Sequence, residues 1–222
     1  MKKAIKILLP VLAALILSSA AVLTVLLSRT VRPGARVVFL SPSTQRENLY
    51  ADGKTTEAAC MNAVADEVQR ILTARGYTVR RSDPEKTFRE AVADSLALAP
   101  SVHVALHSNA AATENTGAIR GCEAYARRRH YGSYRLAECI YARVAAVTPT
   151  EDRGVRYSDT LAEVTRPSCA STLVELDFHD CADGAAFLTS QTGALAQAVA
   201  DGIEDYFTAG IRWRTLLRSL LR

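Results

Sequence analysis

Ser101-Val102-His103-Val104-Ala105-Leu106-His107-Ser108-Asn109 is a run of β-branched and small apolar residues broken by two histidines. A run of that length and composition reads as a buried strand. Side chains alternate along a strand, so His103 and His107, four apart, face the same side. His107 falls where the strand runs out into Ser108-Asn109-Ala110-Ala111. The C-terminal ends of strands in an α/β sheet are where sites gather. His107 therefore reads as a metal ligand whose partners arrive from other elements.

Working outward, strands alternate with helices. Upstream lie a strand over residues 36–40, a helix over 57–75, a strand over 77–81 and a helix over 87–98. Thr56 is the expected N-cap of the first helix, and Met61, Val64, Ala65, Val68, Ile71 and Leu72 its apolar stripe. The second helix puts Phe88, Val92 and Leu96 on one face. Downstream come a polar loop over 111–120, a strand over 121–126 and a helix over 133–147 with Leu136, Ile140, Val144 and Val147 buried. A turn or short edge strand over 153–156 precedes a core strand over 170–176 and helices over 183–189 and 193–207. This alternation predicts an α/β fold: one three-layer domain over residues 33–208, with a mostly parallel or mixed twisted sheet flanked by helices.

The chain has 222 residues and a net charge of +4, much of it in the two ends. Residues 7–28 are almost wholly apolar and follow Lys2, Lys3 and Lys6. At ~1.5 Å per residue they are long enough to cross a ~30 Å hydrocarbon core. Residues 1–32 therefore read as a transmembrane anchor and linker with the N-terminus inside. The competing reading is a signal peptide cleaved near Ser18-Ser19-Ala20. The expected location of the domain is outside the membrane, tethered or secreted. Residues 209–222 form a basic tail in which Leu216, Leu217, Leu220 and Leu221 suit a bilayer surface and Trp213 its interface. No broad basic patch with interleaved aromatics argues for nucleic acid. Five cysteines without a CxxC pair read mainly as small buried hydrophobes.

Three polar clusters leave the ends of buried strands: 41–48, 107–109 and 175–180. Glu175, between Val174 and Leu176, is costly in a strand unless paired, protonated or beside a metal. Glu57 reads two ways. It is an ordinary first-turn carboxylate that complements the helix dipole, or a ligand held where the helix opens on a pocket. His130 reads as solvated surface. A Glu, a His and a second Glu converging on strand ends suit zinc hydrolysis, since zinc takes imidazole and carboxylate and keeps a position open for water. A nearby unligated carboxylate then moves the protons.

Thr-Thr-Glu57, Ala-Leu-His107-Ser-Asn, Gly121-Cys-Glu-Ala-Tyr, Arg153-Gly-Val and Leu-Val-Glu175 followed by Phe178 occur in this order. Together they resemble the zinc-dependent N-acetylmuramoyl-L-alanine amidases of the type-3 fold, over residues 37–207. The resemblance implies that Glu57 and His107 bind Zn2+ and that Glu175 is the catalytic acid/base. The bond cut would be the amide between the muramoyl lactyl group and L-alanine of peptidoglycan. The family's first histidine ligand sits in an Asp-Pro-Gly-His-Gly loop after the first strand. This chain has Ser41-Pro42-Ser43-Thr44-Gln45 there, which marks a divergent branch. His179 and Gln45 are the candidate third ligands, with a water, or no stable metal, as the remaining options. His103 lies ~13 Å back along the strand, too far for the same ion. Expected partners are peptidoglycan, the membrane through the N-terminal helix, and a protein activator. The rival class is an inactive amidase-fold module that binds peptidoglycan or a partner; retention of Glu57, His107 and Glu175 together argues against it.

Overall fold

The computed structural model describes residues 36–150 and 153–220, with side chains described as far as residue 208. The expected anchor over residues 1–32 and the side-chain pattern expected of the tail lie outside the described residues. Among the described residues, no helix is long and apolar enough to cross a membrane.

Six strands build one sheet: β1 (Val37–Pro42), β2 (Thr78–Arg81), β3 (Val102–Asn109), β4 (Glu123–Arg127), β5 (Val155–Ser158) and β6 (Ala170–Phe178). Their order is β2-β1-β3-β6-β4-β5. The first four run parallel, while β4 is antiparallel to β6 and parallel to β5, so the sheet is mixed. Parallel neighbours need crossovers. Helix α1 (Glu57–Ala74) joins β1 to β2, α2 (Phe88–Leu98) joins β2 to β3, α3 (Tyr131–Ala145) joins β4 to β5, and the one-turn α4 (Ala162–Thr165) leads from β5 into β6. Two further helices follow β6: α5 (Ala182–Ser190) and α6 (Thr192–Leu220).

The period-two pattern sorts the two faces of the sheet. Val38 and Leu40 of β1, Val102, Val104 and Leu106 of β3, and Val174 and Leu176 of β6 enter the main core. Helices α1, α3 and α6 close it with Met61, Val64, Leu72, Leu136, Ile140, Leu195 and Ile203, all fully buried. The other parity presents Phe39, Ser41, His103, His107, Ser171 and Glu175, and α2 and α4 cover that face. Its apolar cluster is small: Ala105, Leu173 and Val164, with Tyr125 and Leu161 against it. His103 stacks on Phe39 at 5.3 Å and bonds Ser95 Oγ through Nδ1 at 2.9 Å.

This polar face explains where α2 departs from expectation. The helix buries Ala91, Val92 and Ser95, whereas Phe88 and Leu96 stay exposed. A surface carrying His103 asks for the Ser95 hydroxyl, not for more apolar area. Val147 is also exposed, because α3 ends at Ala145. The start of α2 is set by a reciprocal Thr87–Glu90 capping box. His130 caps α3, its Nδ1 accepting from the Ser133 amide at 3.0 Å. No disulfide joins the cysteines, of which Cys60, Cys122 and Cys181 are buried.

Helices α3 and α6 meet closely at Gly202. A Cβ there would stand 2.4 Å from Ile140 Cα and 2.8 Å from Cys139 O. Alanine gains ~1 kcal/mol of helix propensity over glycine, but a clash with backbone has no rotamer to relieve it. Gly202→Ala is expected to lower stability by about 2 kcal/mol net. Gly193→Ala, which meets nothing within 4 Å, is expected to hold or raise it. Urea unfolding of the two variants side by side checks the pair.

Candidate active site

Because β1, β3 and β6 are parallel neighbours, their C-terminal ends emerge together. Ser41 pairs in register with Ala105, and His107 with Glu175. A register shift between His107 and Asn109 ends the regular pairing there. The loop after β1 returns to α1 through a bridge between Leu49 and Thr56, and the Glu57 amide donates to Asn48 O at 2.8 Å. Thr56 Oγ1 accepts from the Ala59 amide and starts the helix. The first side chain of α1, Glu57, is thereby set against the end of β3.

His107 is held between two carboxylates. Its Nδ1 lies 2.9 Å from Glu57 Oε1, and its Nε2 lies 3.1 Å from Glu163 Oε2. Glu57 also accepts from Asn48 Nδ2 at 2.9 Å and from the Ser108 amide at 3.4 Å. Glu163, from α4, accepts from Ser41 Oγ at 2.5 Å. His103 Nε2 stands 3.9 Å from Glu163 Oε1, beyond hydrogen-bond length.

Burial works against every charge in this cluster, and pairing overcomes it. Burial alone pushes the Glu163 carboxyl up, but its histidine neighbours and Ser41 hold it at about 2. Burial likewise opposes ionisation of Glu57, which His107, Asn48 and Ser43 bring below the ordinary value. Burial disfavours the His107 cation, yet Glu163 and Glu57 keep it well above the usual range. Glu175 has no such partner, and its Oε2 is buried without a hydrogen bond. Burial pushes its carboxyl up to about 7; the His107 charge opposes the rise, while Glu57, Glu123 and Glu163 add to it.

Glu123 stands opposite Glu175 in the β4–β6 register. It accepts from Asn109 Nδ2 at 2.7 Å and Tyr125 OH at 2.8 Å, with Arg153 and Arg156 beside its second oxygen. This ties the end of β3 to β4. Beyond Glu175, Asp177 is fully buried and takes a two-pronged bond from Arg120, with the Gly121 and Phe178 amides as further donors. His107, Glu163 and Glu175 open on a cavity of about 520 Å³, whose walls include Gln45, Phe88 and Arg166.

Of the residues expected as third ligands, His179 is engaged by other neighbours and Gln45 lines the cavity. His179 is buried, stacked on Tyr50 at 5.0 Å, with its Nδ1 against Ser108 O at 2.8 Å and Ser108 Oγ at 3.0 Å. Strand β6 stays paired with β3 as far as Phe178, and the His179 amide bonds Asn109 O. Gln45 lines the cavity, but its side-chain oxygen accepts from Asn48 Nδ2 at 2.8 Å. Among the described residues, no three His, Cys, Asp or Glu side chains are arranged to hold a metal ion. Glu163 has no place in the sequence reading. The criterion that exposed Glu175, a carboxylate among apolar residues, also fits Leu161-Ala162-Glu163-Val164.

Residues 43–205 match the family Amidase_3, described as N-acetylmuramoyl-L-alanine amidase. The chain belongs to this family. A relative of the amidase chain, the uncharacterized protein YqiI of Bacillus subtilis (strain 168), is 30% identical over 152 residues, 65% of this chain and 71% of the relative. The amidase fold recurs in solved structures. The catalytic domain of CwlV, an N-acetylmuramoyl-L-alanine amidase from Bacillus (Paenibacillus) polymyxa var. colistinus, aligns with a TM-score of 0.70 at 24% identity over 78% of this chain and 98% of that one. An N-acetylmuramoyl-L-alanine amidase from Clostridium difficile 630 gives 0.72 at 18% identity over 79% and 98%. The CwlD amidase from Clostridioides difficile, in complex with the GerS lipoprotein, gives 0.68 at 17% over 78% and 99%.

Proposed function

We propose that this amidase-family chain hydrolyses the amide between N-acetylmuramic acid and L-alanine in peptidoglycan, with Glu175 as the acid/base. One observation carries the reading: a cavity-lining carboxylate with an unpartnered buried oxygen, held at about 7, beside a His107 ring fixed on both sides. Such a group takes and returns a proton near neutral pH. Glu175 accepts a proton from the attacking water. The water oxygen bonds to the lactyl carbonyl carbon, and as the C–N bond breaks Glu175 passes that proton to the alanine nitrogen, which leaves as a free amine while the muramoyl side keeps a carboxylate.

The family implies zinc, and two residues that could hold it, Glu57 and His107, meet at the site. Glu57 Oε1 and His107 Nδ1 are 2.9 Å apart, near the ~3.3 Å edge that zinc's ~2.0 Å bonds set in a tetrahedron. Glu163 on the opposite ring nitrogen matches the carboxylate that commonly backs a metal-bound histidine. Glu57 and His107 would hold the ion, with water and substrate in the remaining positions. When bound, zinc would acidify a water and polarise the scissile carbonyl. Asn48 keeps Glu57 oriented toward that position, and the Ser108 amide steadies its other side.

The apolar run over residues 7–28 would tether the domain outside the membrane. The GerS lipoprotein complex of CwlD makes a protein partner part of the reading. The deciding experiment is mass spectrometry of purified peptidoglycan after incubation with the protein and zinc. Stem peptides with a free N-terminal L-alanine, absent with chelator, are expected. Equal release with chelator would remove zinc from the proposal. The expected-ligand gap favours a second reading, a binding module; sedimentation with peptidoglycan but no released peptide would establish it instead.

A further inference from the structure

Strand β4 is antiparallel to β6, so it ends near where β6 begins. The turn that follows it lies at the N-terminal ends of β3 and β6, opposite the catalytic cluster. Strand β3 spans the two ends in eight residues, about 25 Å at ~3.3 Å each. Arg36, ahead of β1, and Phe207 of α6 meet at this same end. The Arg36 guanidinium lies 4.7 Å over the Phe207 ring, which stacks on Tyr77 ahead of β2.

The turn reads Arg127-Arg128-Arg129-His130-Tyr131. Arg128 gives its charge to Asp159 at 2.8 Å. Arg127 and Arg129 are exposed, and among the described residues no carboxylate pairs with either. Tyr131 is 78% exposed and Tyr157 47%, the latter propped on Tyr134 at 5.6 Å. Arg129, His130 and the three tyrosines wall a hollow of about 290 Å³. Asp201 and Glu204, also near this end, are held by Arg75. Exposed tyrosine beside unpaired arginine suits the headgroup layer of a bilayer. The ring settles at the apolar boundary with its hydroxyl in water, and the guanidinium takes a lipid phosphate.

Chain length points to the occupant. Residues 7–28 are almost wholly apolar, and the eight residues from 29 to 36 span at most about 28 Å. With the apolar run in a membrane, the end bearing Arg36 is the one held near it. Residues 209–222, which continue from this end, add four arginines. We propose that the face formed by Arg127, Arg129, Tyr131 and Tyr157 docks on anionic headgroups of the membrane that anchors the chain, turning the catalytic end outward. The proposal rests on residues 7–28 serving as an anchor, not on the amidase chemistry.

The test uses the full-length chain in nanodiscs of phosphatidylcholine alone or mixed equally with phosphatidylglycerol. Hydrogen exchange read by mass spectrometry follows the amides of residues 128–131. They are expected to exchange about 10-fold more slowly in the anionic discs at low salt. High salt should restore the neutral-disc rate. The loop over 111–120, at the other end, should exchange alike in both discs. The double variant R127E/R129E should lose the slowing, with unchanged exchange in β3 showing that it folds. Equal wild-type rates in the two discs, or slowing retained in the double variant, overturns the proposal. Equal slowing by soluble polyphosphate on neutral discs also overturns it, making the face a polyanion site. Protein that leaves the neutral discs removes the anchor alone, and the same exchange comparison on anionic vesicles then decides the face.

Discussion

Glu175→Gln is expected to lower turnover by about 10²–10⁴-fold and, in the same molecule, to raise the stability of the metal-free protein. Both effects come from one unpartnered carboxyl. In the native state it ionises at about 7, against 4.5 for a free glutamate. Between those values the folded protein holds a proton that the unfolded chain has released, so stability falls as pH rises. Each pH unit in that window costs about 1.4 kcal/mol, for roughly 3 kcal/mol by about pH 8. Below 4.5 both states are protonated and the difference vanishes. Glutamine cannot ionise and escapes the loss. Urea unfolding in chelator, at acidic and mildly alkaline pH, should show the variant gaining only at the higher pH. A variant that is inactive but no more stable would mean that Glu175 is solvated or paired in solution.

Arg120→Met should cost about 3–5 kcal/mol, because it strands the Asp177 charge in the interior. Asp177 is fully buried, and Arg120 supplies its countercharge through Nε and a terminal nitrogen at 3.0 and 2.7 Å. The Gly121 and Phe178 amides alone leave that charge uncompensated. Removing both charges should be far milder, so the double variant Arg120→Met, Asp177→Asn is expected to regain most of the loss. The pair also ties the loop before β4 to the end of β6, two residues beyond Glu175. A drop in kcat greater than the stability loss explains, measured well below the melting temperature, would show that this tie orders the site. Near-additive single and double losses would sink the account, since a buried ion pair must couple.

Much of the site is legible in the sequence. Thr56 ahead of Glu57 announces a helix start, and the apolar run ending at His107 announces a strand end. These are local signals of capping and period, and they put Glu57 and His107 at the 2.9 Å found between them only once β1 and β3 are neighbours. Glu175 was legible by its cost in an apolar strand. Glu163 carries the same mark in a stretch too short and irregular to read as an element. Spacing along a strand says which side His179 leaves from, not which neighbour captures its ring. Ser108 and Tyr50, one far from it in sequence and one farther, take that ring.

The sequence by itself determined the alternation of strands and helices, the helix start that carries Glu57, and the strand that ends at His107. Hydrophobic period and capping are local properties, readable a few residues at a time. Tertiary structure alone decided the strand order, the antiparallel turn of β4 that sets Glu123 against Glu175, and the placing of Glu163 on the second nitrogen of His107. These depend on which distant segments share a low-dielectric space. The charge state of a carboxylate is fixed there by its neighbours in space, not by its neighbours in the chain.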